Sequence, residues 1–75
     1  MPRVETVAGI AICIYFGDHA PPHFHARAAG CEARIVIDTL AILTNNLPAG
    51  QLATVLAWAA GHQAELRAFW AQCNP

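Results

Sequence analysis

The segment His23–Asp38, "HFHARAAGCEARIVID", constrains the fold most, because polar and apolar residues alternate on both sides of an Ala-Gly pair. Side chains of a strand point to opposite faces with a period of two. A two-residue turn at Ala29-Gly30 therefore predicts an antiparallel hairpin. Its register has three characteristic pairs: Arg27 with Glu32, His25 with Arg34, and Phe24 with Ile35.

The two faces of this hairpin differ in chemistry. The polar face carries His23, His25, Arg27, Glu32 and Arg34. The apolar face carries Phe24, Ala26, Ala33, Ile35 and Ile37. An apolar sheet face has to be covered by a second layer of structure, which the rest of the chain must supply.

Further strands are predicted before and after the hairpin. Residues 9–16, "GIAICIYF", form a continuous apolar run, which is typical of a strand covered on both faces or lying at an oligomer contact. Alternate residues of this run share one face: Ile10, Ile12, Ile14 and Phe16. Residues 41–44, "AILT", predict a short last strand.

The C-terminal part predicts the covering helical layer. Residues 45–50, "NNLPAG", indicate a helix start, with Pro48 at the first helical position and an asparagine as cap. Beyond it, residues at three- and four-residue steps form one stripe: Leu52, Val55, Ala59, His62, Leu66, Phe69 and Cys73. Gly61 weakens the middle, so one bent helix and two shorter helices are both compatible with the pattern.

Together these patterns predict one α+β domain spanning residues 1–75. It consists of a three- or four-stranded antiparallel β-meander followed by a C-terminal helical region packed on one sheet face. Trp58 and Trp70 are expected to anchor the core or an interface.

Composition indicates self-association or a partner protein. Of the 75 residues, 56% are hydrophobic and 12% are charged, whereas an average soluble domain carries about 25% charged residues. The net charge of −1 is unlike that of a general nucleic-acid binder, so no DNA partner is predicted. Local recognition of an RNA end by arginines and histidines stays compatible with this charge.

Cysteine usage and hydropathy point to the cytoplasm. Cys13, Cys31 and Cys73 are widely spaced and form no CxxC pair, so neither a disulfide framework nor a cysteine zinc site is indicated. No apolar run approaches the roughly 20 residues needed to cross a bilayer. We therefore expect a cytoplasmic protein without a membrane partner.

The segment "FGDHAPPHFHARAAG" concentrates the candidate functional residues, and one hypothesis for it is a metal site. His23 and His25 on one strand face can both reach one ion, and Asp18 or His19 would supply a third ligand. An extended chain separates His19 from His23 by about 12 Å. Two arginines on the same face would also repel a cation. We therefore expect no tightly bound zinc and no cofactor.

A second hypothesis is metal-independent RNA cleavage. A histidine pair supplies a general base and a general acid, and arginine stabilises the developing charge on a phosphodiester. The catalytic candidates are His23, His25, Arg27 and Arg34.

The plainer alternative makes the histidines solvated strand residues, or hydrogen-bonded ones that clamp the Pro21-Pro22 turn or meet a partner chain. If the histidine row is functional instead, a half-exposed His25 should contribute little to folding stability. His62 lies on the apolar helical stripe, and it joins the cluster only if the helix crosses that end of the sheet.

Several stretches of the chain resemble the bacterial domain of unknown function 4160 family. They are "MPRV", "GIAICIYFGDHAPPHFHAR", "EARIVID" and "LPAG", followed by a helix with Trp58, His62, Glu65 and Trp70. The string "DHAPPHFH" is the most specific part. The family positions found here are Asp18, His19, Pro21, Pro22, His23, Phe24, His25, Trp58 and His62.

The resemblance implies a small α+β protein whose gene often lies beside that of another small protein. Members have been suspected of forming toxin–antitoxin-like pairs. No established activity is implied, so whether the chain is an enzyme stays open. Two turns depart from the family: Ala28-Ala29-Gly30 replaces an aromatic residue followed by glycine, and Leu40 replaces a glycine. The hairpin register is therefore the part of the prediction that most needs a structural check.

We accordingly expect a small interaction component of a toxin–antitoxin-like two-protein module, with the histidine-rich segment at its working surface. Asp18, His19 and His62 are the candidate binding positions. The partner would be a second copy of the chain or a small protein encoded by a neighbouring gene. A ribonuclease and a metal-binding module remain alternatives.

Overall fold

The computed structural model describes residues 3–75 as a five-stranded antiparallel sheet followed by two helices. The strands, in chain and spatial order, are β1 (Arg3–Val7), β2 (Ile10–Cys13), β3 (His23–Ala28), β4 (Cys31–Val36) and β5 (Ile42–Asn45). The helices are α1 (Ala49–Ala60) and α2 (Gln63–Cys73). The predicted α+β meander with a C-terminal helical region is confirmed, with one strand more than expected.

The additional strand is β1, and its turn into β2 repeats the chemistry of the predicted hairpin. Ala8 and Gly9 have φ values of 49° and 80°, and Ala29 and Gly30 have φ values of 50° and 77°. Positive φ at both central residues is the type I′ turn, whose twist matches that of the paired strands. Glycine adopts this conformation without a steric penalty, which explains its place in both pairs.

The register of the β3–β4 hairpin is confirmed. The predicted pairs are present: Arg27 opposite Glu32, His25 opposite Arg34, and Phe24 opposite Ile35. Leu40 in the next turn has a φ of 60°, a conformation that favours glycine. The backbone N–H of Leu40 donates to the Val36 carbonyl at 2.9 Å and closes that turn. The two departures from the family pattern therefore leave the strand pairing intact.

The strand predicted over residues 9–16 is shorter in the structure. β2 ends at Cys13, although the three isoleucines of the run are all buried as expected. Phe16 was predicted to share their face, and this is wrong, because its side chain is 71% exposed. The chain leaves the sheet here, and Gly17 adopts a φ of 66° in the loop that carries Asp18.

The helical region consists of two helices, which resolves the alternative that the sequence left open. The N–H of Gly61 donates to the Trp58 carbonyl at 3.1 Å, and the N–H of His62 donates to the Ala59 carbonyl at 3.0 Å. Both bonds span three residues instead of the four of an α-helix, and they end α1. The next residue, Gln63, begins α2. Within residues 3–75, no helix has both the length and the apolar character needed to cross a membrane.

The start of α1 differs slightly from the prediction. Pro48 precedes the first helical residue, and no side chain caps the helix. Asn45 Oδ1 instead accepts a bond from Leu47 N at 2.9 Å, and Asn46 Oδ1 accepts one from Glu32 N at 2.6 Å. The asparagines therefore tie the connection to the sheet.

The core lies between the helices and the apolar face of the sheet. Buried residues from the sheet side are Ile10, Ile12, Ile14, Phe24, Ala26, Ala33, Ile35 and Ile37. Those from the helices are Val55, Ala59, Leu66 and Cys73. Trp58 and Trp70 are partly buried against this core, as expected of anchors. The hairpin face that was predicted to be covered by the helical region is the face on which the helices pack.

Candidate functional site

The loop between β2 and β3 is held against the C-terminal end of α2. Asn74 Nδ2 donates to the Tyr15 carbonyl at 3.2 Å, and Asp18 N donates to Asn74 Oδ1 at 2.7 Å. The N–H of Gly17 donates to the Cys73 carbonyl at 3.3 Å. These bonds fix the position of Asp18 near the first residues of β3, where the histidines lie.

Asp18 is the residue on which the histidine pair converges. Its Oδ1 accepts a hydrogen bond from His19 N at 2.9 Å. Its Oδ2 lies 3.1 Å from His23 Nε2 and 3.2 Å from His25 Nε2. The two imidazole centroids are 5.1 Å apart. We call Asp18, His23 and His25 the histidine–aspartate cluster.

His25 lies between two carboxylates. Its Nε2 faces Asp18, and its Nδ1 lies 3.2 Å from Glu32 Oε2. Tyr15 packs edge-on against the imidazole with ring centroids 4.4 Å apart. We predicted a half-exposed histidine, and this is wrong, because His25 is 8% exposed. The loop and Tyr15 cover the polar face of β3 at this point.

His23 is buried more deeply, at 4% exposed. Its Nδ1 donates to the Pro21 carbonyl at 2.8 Å, since a carbonyl oxygen only accepts. Trp70 of α2 lies against the imidazole with centroids 5.3 Å apart. Among the described residues, His23 Nε2 makes no hydrogen bond, although Asp18 Oδ2 lies 3.1 Å away.

The surroundings of Asp18 lower the pKa of its carboxyl group. Burial is the largest single influence, and by itself it would raise the pKa. The hydrogen bond with His25, the bond from the His19 backbone and the charges of both histidine rings lower the pKa and together outweigh burial. The carboxylate form is therefore favoured, and its Oδ2 acts as an acceptor.

The two arginines of the polar face have partners on the sheet. Arg27 donates to Tyr15 Oη at 3.1 Å, and its Nε lies 3.5 Å from Glu32 Oε2. The bond to Tyr15 is the main reason why the pKa of Arg27 is raised. Arg34 Nε donates to Thr44 Oγ1 at 3.1 Å. A phosphate group that used both arginines would have to replace these contacts.

His19 and His62 lie apart from the convergence of the other two rings. His19 is exposed on the loop, and its backbone N–H contacts Asp18. His62 stacks on Trp58 with centroids 4.5 Å apart and donates from Nδ1 to the Trp58 carbonyl at 2.7 Å. The side chain of α2 that reaches His23 is Trp70. His62 therefore serves the junction between the helices.

Sequence reasoning missed three residues around the cluster: Tyr15, Trp70 and Asn74. Tyr15 was assigned to an apolar strand, although the pairing of Cys13 with His25 places it near that ring. Trp70 was expected to anchor the core or an interface; it packs against the core and also contacts the His23 ring. Asn74 is 56 positions from Asp18 along the chain, and no local pattern predicts their contact.

The arrangement suits the holding of an ion better than it suits RNA cleavage. All four ring nitrogens of His23 and His25 lie close to oxygens of the protein rather than at an open surface. One ligand atom from each member of the histidine–aspartate cluster lies within 4.8 Å of the other two. The ribonuclease hypothesis stays a prediction, and its acid–base pair, His23 and His25, is buried.

Fold and site define a class of small α+β proteins with a five-stranded meander, a helix pair and a histidine–aspartate cluster. The family model described as Domain of unknown function (DUF4160) matches residues 9–71, and the chain belongs to this family. The resemblance noted in the sequence is thereby confirmed. No curated protein and no solved structure matches the chain.

Proposed function

We propose that this chain is a small cytoplasmic interaction component of a toxin–antitoxin-like bacterial module, and that its partner is a second small protein encoded by a neighbouring gene. The family resemblance supports this proposal, because members often have such a gene neighbour. The low charged fraction of 12% also supports it, since the polar supply for a free surface is small.

The observation that carries the proposal is the character of the β5 edge. β5 is the last strand of the sheet, and all four of its residues are exposed. Ile42 and Leu43 are 46% and 45% exposed, and residues 40–46 contain no charged side chain. Unpaired edges without lysine, proline or charge are templates for pairing with another strand. The partner would add an extended segment to β5.

The opposite edge of the sheet has a different character. β1 carries Arg3 and Glu5, and its pairing with β2 is irregular between them. Charge and irregular pairing both oppose the addition of a strand. β1 is therefore the matched control surface, and β5 is the interaction edge.

A second contact lies on the loop before β3. Phe16 is 71% exposed, and His19 and Pro21 are exposed beside it. An isolated exposed aromatic residue of this size is a common anchor at protein interfaces. The histidine-rich segment thus takes part in the working surface through Phe16 and His19, while His23 and His25 lie beneath.

Co-expression with the gene neighbour tests the proposal, with cell growth and co-purification as readouts. We expect the neighbour to co-purify with the natural chain, and growth to show which of the two proteins is toxic alone. Leu43→Lys should abolish co-purification, because it puts a charge on the pairing edge. Thr6→Lys places the same charge on β1 and should leave co-purification unchanged.

Two outcomes would contradict the proposal. One is retention of the neighbour by a folded Leu43→Lys variant, since the β5 edge would then not be the contact. The other is a stable homodimer that excludes the neighbour, detected by light scattering, since the edge would then pair with a second copy of this chain.

A further inference from the structure

We propose that Asp18 Oδ2, His23 Nε2 and His25 Nε2 form a binding site for a divalent first-row transition metal ion, with Zn²⁺ as the best-matched probe. The site does not depend on the partner proposed above. It goes against our expectation from sequence that the segment binds no metal, and four structural observations support it.

The first observation is the spacing of the ligand atoms. Asp18 Oδ2 lies 3.1 Å from one histidine nitrogen and 3.2 Å from the other. Zinc binds histidine nitrogen and carboxylate oxygen at about 2.0–2.2 Å, so neighbouring ligand atoms of a tetrahedral site are about 3.3 Å apart. These two separations are therefore close to those of a formed site, and the third, between the two histidine nitrogens, lies within 4.8 Å.

The second observation concerns the other ring nitrogens. His23 Nδ1 donates to the Pro21 carbonyl, and His25 Nδ1 faces the Glu32 carboxylate. Both acceptors can hold the Nδ1 proton of a neutral ring. An ion that took the place of the proton between His25 Nε2 and Asp18 Oδ2 would therefore bind both rings through Nε2. Histidines that bind metals through Nε2 have this outer arrangement, in which a carbonyl or carboxylate orients the ring.

The third observation is the buried nitrogen without a hydrogen bond. His23 is 4% exposed, and its Nε2 has no hydrogen-bond partner among the described residues although a carboxylate oxygen is 3.1 Å away. A buried polar atom in this state costs free energy. An ion between His23 Nε2 and Asp18 Oδ2 would satisfy both atoms.

The fourth observation answers the objection based on distance and the objection based on Arg27. The third ligand is Asp18 rather than His19, so the distance along the proline segment no longer matters. Arg27 was expected to repel a cation, but its Nε lies 3.5 Å from Glu32 Oε2, where the opposite charge compensates it. Asp18 Oδ1 is bonded to the His19 backbone, so Oδ2 is the oxygen that remains for an ion.

The ligand set selects the class of metal. Two imidazoles and one carboxylate suit zinc, cobalt, nickel, copper and iron, whereas magnesium and calcium prefer oxygen ligands alone. Three protein ligands leave a fourth position for water or for another ligand. Of the three ligands, Asp18 also lines a surface pocket, together with Trp70 and Asn74.

The test uses the full chain, purified without a histidine tag and stripped with a chelator, then titrated with Zn²⁺ or Co²⁺. We expect one equivalent of either ion to bind and to raise the melting temperature, and Mg²⁺ to do neither. His23→Gln and Asp18→Asn should each weaken Zn²⁺ binding by more than about 100-fold, which exceeds the loss typical of an outer residue. His62→Gln is the matched control and should bind Zn²⁺ like the natural chain.

The proposal is overturned if the natural chain takes up no Zn²⁺, or if folded His23→Gln and Asp18→Asn variants bind it unchanged. It is also overturned if bound Co²⁺ shows a thiolate charge-transfer band, because one of the three cysteines would then be a ligand. Circular dichroism checks the fold of each variant. If one variant does not fold, the Co²⁺ spectrum of the natural chain and the other variant still decide the outcome.

Discussion

The two faces of β3 reach burial by different routes. Phe24 and Ala26 are fully buried on the face that the helices cover. His23 and His25 are also buried, but they lie under the loop from β2 and next to polar partners. Helix side chains fill the first face, whereas on the second face two carboxylates and the Pro21 carbonyl contact the ring nitrogens. Neighbouring residues of one strand therefore have different roles: Phe24 and Ala26 form the core, and His23 and His25 form the candidate site.

This difference concerns what each face requires. The apolar face requires close packing, and its energy comes from area removed from water. The polar face requires that every buried nitrogen and oxygen has a partner, because an unsatisfied group is costly. His23 Nε2 does not meet this requirement. This is the reason why we propose a bound ion on the polar face and none on the apolar face.

Of the substitutions on the two faces, Phe24→Ala should cause the largest loss in the free energy of unfolding. The side chain is fully buried opposite Ile35, so truncation leaves a cavity. We expect a loss of about 3–5 kcal/mol in the free energy of unfolding, which a domain of this size would survive poorly. Urea denaturation followed by circular dichroism measures it. A loss below about 1 kcal/mol would show that the helices do not pack tightly on this face.

His25→Ala should have an intermediate effect in the metal-free protein. The substitution removes the ring between Asp18 and Glu32, whose side chains are 21% and 41% exposed and are partly solvated. We expect a loss of about 1–2 kcal/mol, larger than the change below 1 kcal/mol that a half-exposed histidine would give. His19→Ala on the exposed loop is the control and should be near zero. Unfolding as complete as that of Phe24→Ala would make His25 a structural clamp of the proline turn.

Arg27→Ala should have the smallest effect. Its pair with Glu32 is about half exposed on both sides, at 48% and 41%. Exposed ion pairs of this kind contribute little to stability, and salt screens them. We expect the smallest loss of the three substitutions, one that shrinks further at high salt, measured by the same denaturation. A larger loss that salt does not change would mean that the Arg27–Glu32 pair contributes to the free energy of unfolding as much as a core residue does.

Much of the fold follows from local patterns that the sequence contains. The alternation around Ala29-Gly30 predicted the strand register, since period-two patterning allows one phase that buries Phe24. The pair Ala8-Gly9 carries the same turn signal, and reading it would have predicted β1 as well. These features depend on neighbours in the chain, so composition and order are enough.

The candidate site was determined by the sequence only in its residue types. The segment "DHAPPHFH" supplies an aspartate and two histidines, and their side of the strand follows from the alternation. That Asp18 rather than His19 meets the histidines depends on bonds from the loop to Asn74 and Cys73 at the other end of the chain. The burial of His23 depends likewise on Trp70 of α2. Such contacts join residues more than 45 positions apart, and only tertiary packing decides them, because no periodicity of the chain relates a loop to a distant helix end.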